Sequence, residues 1–138
     1  MSRTSCCLAA SLASLCLLVA PMRAQSAPAT GGHLVVVKLV TKAGSIPYAF
    51  EPASITAQYG DTLRFIEDAA MIHNVRFTSH PGGSKLGAAT TGPYLTTKGQ
   101  TYDLLIDDRF REGHYDFVCD PHVMLGMYGA LTVGKRAQ

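Results

Sequence analysis

The chain has 138 residues, of which 47% are hydrophobic, 16% charged and 8% aromatic. That length suits one domain, and so much apolar content excludes a disordered chain. Twelve Lys and Arg against ten Asp and Glu, a formal charge of +2, leave no electrostatic footprint for nucleic acid and no polybasic anchor for a membrane.

The first thirty residues differ from the rest. Arg3 precedes an apolar run over 6–20, which ends at Pro21 and the small residues 24–27. A positive start, a short apolar core and a small-residue exit predict a secretory signal peptide over 1–24, cut after Ala24. The run is too short to span a bilayer, which needs about 20 apolar residues. No paired arginine precedes it, which argues against a twin-arginine signal. Leu15 before Cys16 argues against a lipoprotein. Removing 1–24 takes away Arg3 and Arg23 and leaves basic and acidic residues in balance. It also removes Cys6, Cys7 and Cys16, so Cys119 remains alone and cannot form an internal disulfide. Residues 25–32 then read as a flexible segment, and 33–138 as one domain.

The domain reads as strands throughout. Residues 33–41 are rich in Val and Leu, and 54–57 form a short strand before the turn at Tyr59, Gly60 and Asp61. Residues 62–67 alternate, with Leu63 and Phe65 on one face and Arg64 and Ile66 on the other. Residues 73–79 place Val75 and Phe77 together. Further strands fall at 101–106, 114–119 and 128–133, and 84–91 is the one place for a turn of helix. Seven to eight short strands in this length predict an antiparallel β-sandwich or barrel.

The chemistry concentrates after residue 118. Cys119, His122 and Met127 lie in one loop between two predicted strands, and His73 starts a strand upstream. A thiolate, two imidazoles and a weak thioether are the donor set of a mononuclear blue-copper site. Cys119 ends a strand, Pro121 turns the chain so that His122 doubles back, and Gly126 lets Met127 curl over the same point. Soft sulfur donors select copper over magnesium or calcium, and a thioether does not suit zinc. The fourth donor must come from elsewhere in the chain, and His73 is the candidate.

The stretch Cys-Asp-Pro-His-Val-Met-Leu-Gly-Met at 119–127 resembles the C-terminal copper loop of the cupredoxins, with the spacing of plastocyanin and pseudoazurin. Ile72, His73, Asn74 and Phe77 resemble the family's upstream ligand strand. Phe50, Pro52 and Ile55, with Gly60, Asp61 and Phe65, resemble its second and third strands. The resemblance covers about 34–134. It implies a Greek-key, cupredoxin-like copper-binding domain holding one type 1 copper ion, with His73, Cys119 and His122 in a trigonal plane and Met127 axial. It places Asn74 where a side chain ties the two ligand segments together near Asp120. It also implies an exposed ring edge on His122. Asp120 stands where the family more often has Ser or Thr. Ile72 stands where azurins have Gly, so a carbonyl contact from that position is in question.

Met124 is the rival sulfur and reads as a rim residue; Met71 is expected to pack. His33, His80 and His114 read as solvated or strand-face histidines, and the pairs Glu67–Asp68 and Asp107–Asp108 as a solvated face, with a docking patch as the alternative. The implied function is electron transfer by an exported Cu(II)/Cu(I) carrier, with copper binding or delivery as the alternative. An enzyme is not expected, because the spare histidines form no pair for a second centre. The expected partner is a redox protein such as a c-type cytochrome or a copper/haem enzyme, docked on the charge-free run Val123-Met124-Leu125. Nucleic acid and stable membrane insertion are not expected. The mature protein should be a monomer in the periplasm, with an extracellular location as the alternative.

Overall fold

A computed structural model describes residues 32–135. The predicted signal peptide over 1–24, with its cut site, lies outside the described residues, as does nearly all of the 25–32 segment. Among the described residues, no helix is long and apolar enough to cross a membrane.

Eight strands follow in order: β1 Leu34–Thr41, β2 Tyr48–Glu51, β3 Ser54–Ala57, β4 Thr62–Glu67, β5 Arg76–Ser79, β6 Thr101–Leu105, β7 Gly113–Val118 and β8 Tyr128–Val133. They form two four-stranded sheets, β2-β1-β4-β6 and β3-β8-β7-β5. The chain crosses from one sheet to the other at every connection between β2 and β7, so consecutive strands are seldom partners. The eight-strand sandwich agrees with the sequence reading. Its sheets are mixed: β1 with β4 and β3 with β8 run parallel, and the other pairs are antiparallel.

Alternation builds the core. Leu63 and Phe65 of β4 point inward, as do Val37 and Leu39 of β1. Phe117 of β7 sits at the centre, edge-on to Phe50, Phe65 and Phe77 at centroid distances of 4.8, 5.9 and 5.7 Å. Such edge-to-face contacts contribute about 0.5–1.5 kcal/mol each beyond the burial of area. Gly129 faces Phe117 across the β7–β8 ladder, and a Cβ there would stand 2.3 Å from the ring. The glycine makes room for the aromatic.

The strand predicted over 73–79 begins as a strand only at Arg76. His73 is instead held by an isolated bridge: its N–H donates to the Leu95 carbonyl at 2.9 Å, and the Leu95 N–H returns a bond at 2.7 Å. The helical turn expected within 84–91 is a 3-10 turn over Gly87–Thr90. The copper-like loop folds as a second 3-10 turn, Asp120–Leu125, which the sequence reading left as a plain loop. β2 was also missed. Its four residues carry too little alternation to separate them from Pro47 and Pro52 on either side.

One consequence of this topology positions the site. The carboxyl ends of β4 and β7 and the amino ends of β2 and β8 meet at one end of the sandwich. Tyr48, Glu67, His73, Cys119, His122 and Met127 therefore come together from four separate segments.

Candidate metal centre

The loop side of the site is built locally. Pro121 sits in the first turn of the 3-10 segment, where a missing N–H costs nothing. That turn carries His122 back toward Cys119, and the His122 N–H donates to the Cys119 carbonyl at 3.1 Å. Gly126 ends the turn at φ 86°, a left-handed conformation that glycine adopts without strain. The chain then closes on itself: Met127 N–H donates to the His122 carbonyl and Cys119 N–H to the Met127 carbonyl, both at 3.2 Å. Cys119 and Met127 are fully buried. Cys119 Sγ lies 3.4 Å from His122 Nδ1.

The opposite wall comes from the strands. His73 is fully buried, with its ring 4.7 Å from that of His122. Its Nδ1 lies 2.7 Å from Glu67 Oε2. Its Nε2 is the buried side-chain nitrogen without a hydrogen-bond partner among the described residues. The Tyr48 ring stacks on His122 at 3.8 Å and meets His73 edge-on at 5.8 Å. Neither Glu67 nor Tyr48 was expected at the site. Glu67 was read as half of a solvated charge pair, and the structure corrects this: it is fully buried. The signal was present in β4, since a residue at the spacing of Leu63 and Phe65 belongs on their face.

Asn74 ties the two walls together as the resemblance implied. Its amide Nδ2 donates to Asp120 Oδ2 at 2.8 Å, and its Oδ1 accepts the Asp120 N–H at 2.8 Å. Asp120 adds a partner of its own, Arg76, whose Nε lies 2.5 Å from Oδ1. The Asn74 amide and the Arg76 guanidinium together hold the Asp120 carboxyl below its ordinary value. Its charge is thus compensated beside the site.

Electrostatics suit a metal more than a proton. Burial pushes the His122 imidazole down, and neighbouring His73 adds to the effect, against a weaker opposing pull from Glu67. The ring is therefore neutral near pH 7 and keeps a lone pair. Burial pushes the Cys119 thiol up, although backbone N–H groups of Asn74 and His122 favour the thiolate. A metal that binds there displaces the thiol proton.

Other expectations sort cleanly. Met124 is 91% exposed and lies away from the buried sulfurs. Leu125 is exposed and Val123 half-buried, so the apolar lip faces solvent. Met71, expected to pack, is exposed instead, as is Ile72 beside it. His122, expected to show a ring edge, is only 6% exposed because Tyr48 covers one face. His33, His80 and His114 are exposed as expected, and His114 pairs with Asp116 at 2.9 Å. Among the described residues, no three His, Cys, Asp or Glu side chains form a ready metal cage. The side chains gathered here instead include a thioether, and His73 turns one nitrogen toward Glu67. An orphaned imidazole nitrogen, a second neutral imidazole, a buried thiol and a buried thioether at one end of the sandwich fit a soft metal ion.

Comparison with known proteins agrees with this chemistry. The model of the copper-binding plastocyanin/azurin family matches residues 35–134. Plastocyanin of Scenedesmus fuscus is 34% identical over 101 residues, which is 72% of this chain and 98% of that protein. Plastocyanin of Ulva prolifera is 36% identical over 100 residues, 71% of this chain and 97% of that one. Among solved structures, oxidised plastocyanin from Dryopteris crassirhizoma superposes with a TM-score of 0.59 at 27% identity, over 72% of this chain and 99% of that one. Pseudoazurin from Methylobacterium extorquens gives 0.52 at 31% identity, over 75% of this chain and 77% of that one. The chain belongs to the copper-binding plastocyanin/azurin family, the cupredoxins, whose members are electron carriers with a single type 1 copper ion as cofactor.

Proposed function

We propose that this chain is an exported one-electron carrier whose copper is held by His73, Cys119, His122 and Met127. The observation that carries this reading is the convergence of the buried Cys119 thiol and the His122 ring, 3.4 Å apart, with the His73 ring 4.7 Å from His122 and its Nε2 unpaired. Copper, when bound there, supplies a one-electron Cu(II)/Cu(I) couple. Cys119 provides the strong, soft donor and Met127 the weak axial one. Tyr48 and the surrounding core keep water out, and the Asn74–Asp120 bonds hold the loop against the strand wall. That rigidity keeps donor positions the same in both oxidation states, which suits rapid exchange.

His122 is the route for the electron. Its ring is stacked on Tyr48, and the apolar run Val123, Met124 and Leu125 that follows it in the chain offers a partner a surface close to it. A small, weak interface suits a carrier that must leave quickly. The partner is a redox protein such as a c-type cytochrome or a copper/haem enzyme, met by a monomer in the periplasm. The signal-like segment over 1–24 supports the export.

The test is a visible spectrum of the copper-loaded protein. A strong thiolate-to-copper band in the red, bleached by reductant, is expected. Cys119→Ser should abolish it, because a hydroxyl is a hard, poor replacement for thiolate. A variant that stays intensely coloured overturns the ligand assignment. Rapid oxidation of the reduced protein by a c-type cytochrome separates a carrier from a delivery protein.

A further inference from the structure

The site end of the sandwich carries apolar side chains in the open. Met71 and Ile72, both exposed, come directly before His73, and exposed Tyr94 comes directly before the Leu95 that bridges to it. Met124 and Leu125 follow His122 and are exposed too. Ile46, also exposed, lies against the same loop: a Cβ at Gly126 would stand 3.3 Å from its Cγ2. Four separate stretches of chain therefore bring bare hydrophobes to one pole. Exposed apolar groups that gather in this way mark a contact surface.

The charges at this pole cancel among themselves. Lys42 pairs with Glu51 at 3.4 Å, Asp68 sits between Lys38 at 3.2 Å and Lys98 at 2.9 Å, and Arg76 pairs with Asp120. Residues 40–52, 66–76, 91–100 and 118–128 hold no further Lys, Arg, Asp or Glu except the buried Glu67. Only the Asp68 group keeps one positive charge in excess. Exposed ion pairs add little to stability. Their effect here is to cancel the field around the hydrophobes. The opposite end differs: Lys85, Asp108, Arg109 and Arg111 line one open pocket there, where β6 runs into β7.

We propose that the site end is a charge-compensated docking face, and that its partner is a redox protein whose own electron-entry face is apolar and poor in charge. The inference rests on the electron-carrier reading and specifies the partner. A strongly charged partner face would meet no opposite potential here, and its charges would lose water without gaining a counter-charge. An apolar face releases water on both sides and leaves the flanking ion pairs intact at the wet rim. The encounter is then unsteered, and the fit of the two apolar faces sets its rate.

The experiment measures electron transfer from the reduced, copper-loaded protein to three c-type cytochromes whose haem-edge faces are basic, acidic and uncharged. One electron passes from Cu(I) to the haem Fe(III), and no proton or group moves. Steering by charge raises association about 10–10³-fold and fades as salt rises. Here the cytochrome with the uncharged face should react fastest. Its rate should change less than about twofold between about 10 and 150 mM salt, over which the Debye length falls from about 30 to about 8 Å. Glu51→Gln, which unmasks Lys42, should speed the reaction with the acidic cytochrome and make it salt-dependent. Met124→Ser should slow the reaction with the uncharged one about tenfold. In the metal-free protein, that cytochrome should shift the amide NMR signals of Ile46, Met71, Tyr94 and Met124 and leave that of Lys85 in place. A basic or acidic cytochrome that reacts fastest at low salt and loses its lead at high salt overturns the proposal. So does an unchanged rate in Met124→Ser, or a dimer in sedimentation that Met124→Ser dissociates. Hexacyanoferrate(III) keeps the two readings apart. A loaded, reduced protein that it cannot oxidise fails as a carrier, whereas one that it oxidises while a charged cytochrome leads fails only as a charge-compensated face.

Discussion

β4 carries a buried acid at each end, and the two are satisfied in opposite ways. Asp61, just before the strand, accepts the backbone N–H groups of Gln58 and His33, each at 2.7 Å. These bonds close on the protein's own main chain, with the exposed His33 ring beside them, 3.4 Å from Oδ1. Glu67, at the strand's other end, bonds an imidazole whose second nitrogen is left without a partner. Backbone partners make a carboxylate part of the turn. A side-chain partner with an unmet atom beyond it passes the need onward, to whatever occupies the pocket. Burial alone does not distinguish the two acids; the partners each one finds do.

Replacement of Asp61 sharpens that contrast most. Asp61→Ala leaves two partly buried N–H groups unmet and should cost about 1.5–3 kcal/mol of stability. It should leave the copper spectrum and potential unchanged, and a shifted potential would break the distinction. Burial alone would raise the Asp61 carboxyl, but the bonds from Gln58 and His33 outweigh it and leave the group below its ordinary value. A lowered folded value means that the contribution is present above the unfolded value, about 3.9, and is lost as pH falls through the folded one. The exposed His33 ring, 3.4 Å from Oδ1, adds to this when protonated. The acid limb of melting temperature against pH, below about pH 4, should therefore flatten in Asp61→Ala.

Asn74 joins the two kinds of end. Asn74→Ala removes both bonds to Asp120 and leaves that residue's N–H unmet, at about 1–3 kcal/mol. Unlike the Asp61 change, it should also lower copper affinity, because the loop is released from the His73 wall. Thermal melting of the metal-free form and a copper titration read the two effects separately.

Met127→Leu keeps the volume and should cost less than about 1.5 kcal/mol. With Met127 as the proposed axial donor, copper and colour should persist while the potential rises, because electron donation to Cu(II) is removed. Met124→Leu should do neither, given its exposure of 91%. The reverse result would exchange the two sulfurs. Met124→Lys should slow electron transfer to a partner while leaving the spectrum in place.

The loop side chains that gather at this end of the sandwich were legible in the sequence because they are local. Cys119, His122 and Met127 lie within nine positions, and Pro121 and Gly126 sit where a tight turn needs them. The strands were legible for the same reason: alternation such as Leu63 and Phe65 against Arg64 and Ile66 is carried by neighbours. Tyr48, Glu67 and Leu95 were not. Tyr48 reaches His122 only because β2 lies antiparallel to β1, which in turn lies parallel to β4. Glu67 meets His73 only because the chain reverses at Ala70 and crosses to the other sheet. The parallel pairings of β1 with β4 and β3 with β8 were equally hidden. A local pattern shows which face of a strand is buried. The partner a buried group finds there depends on the register between segments far apart in sequence, and packing decides that register for the whole sandwich at once.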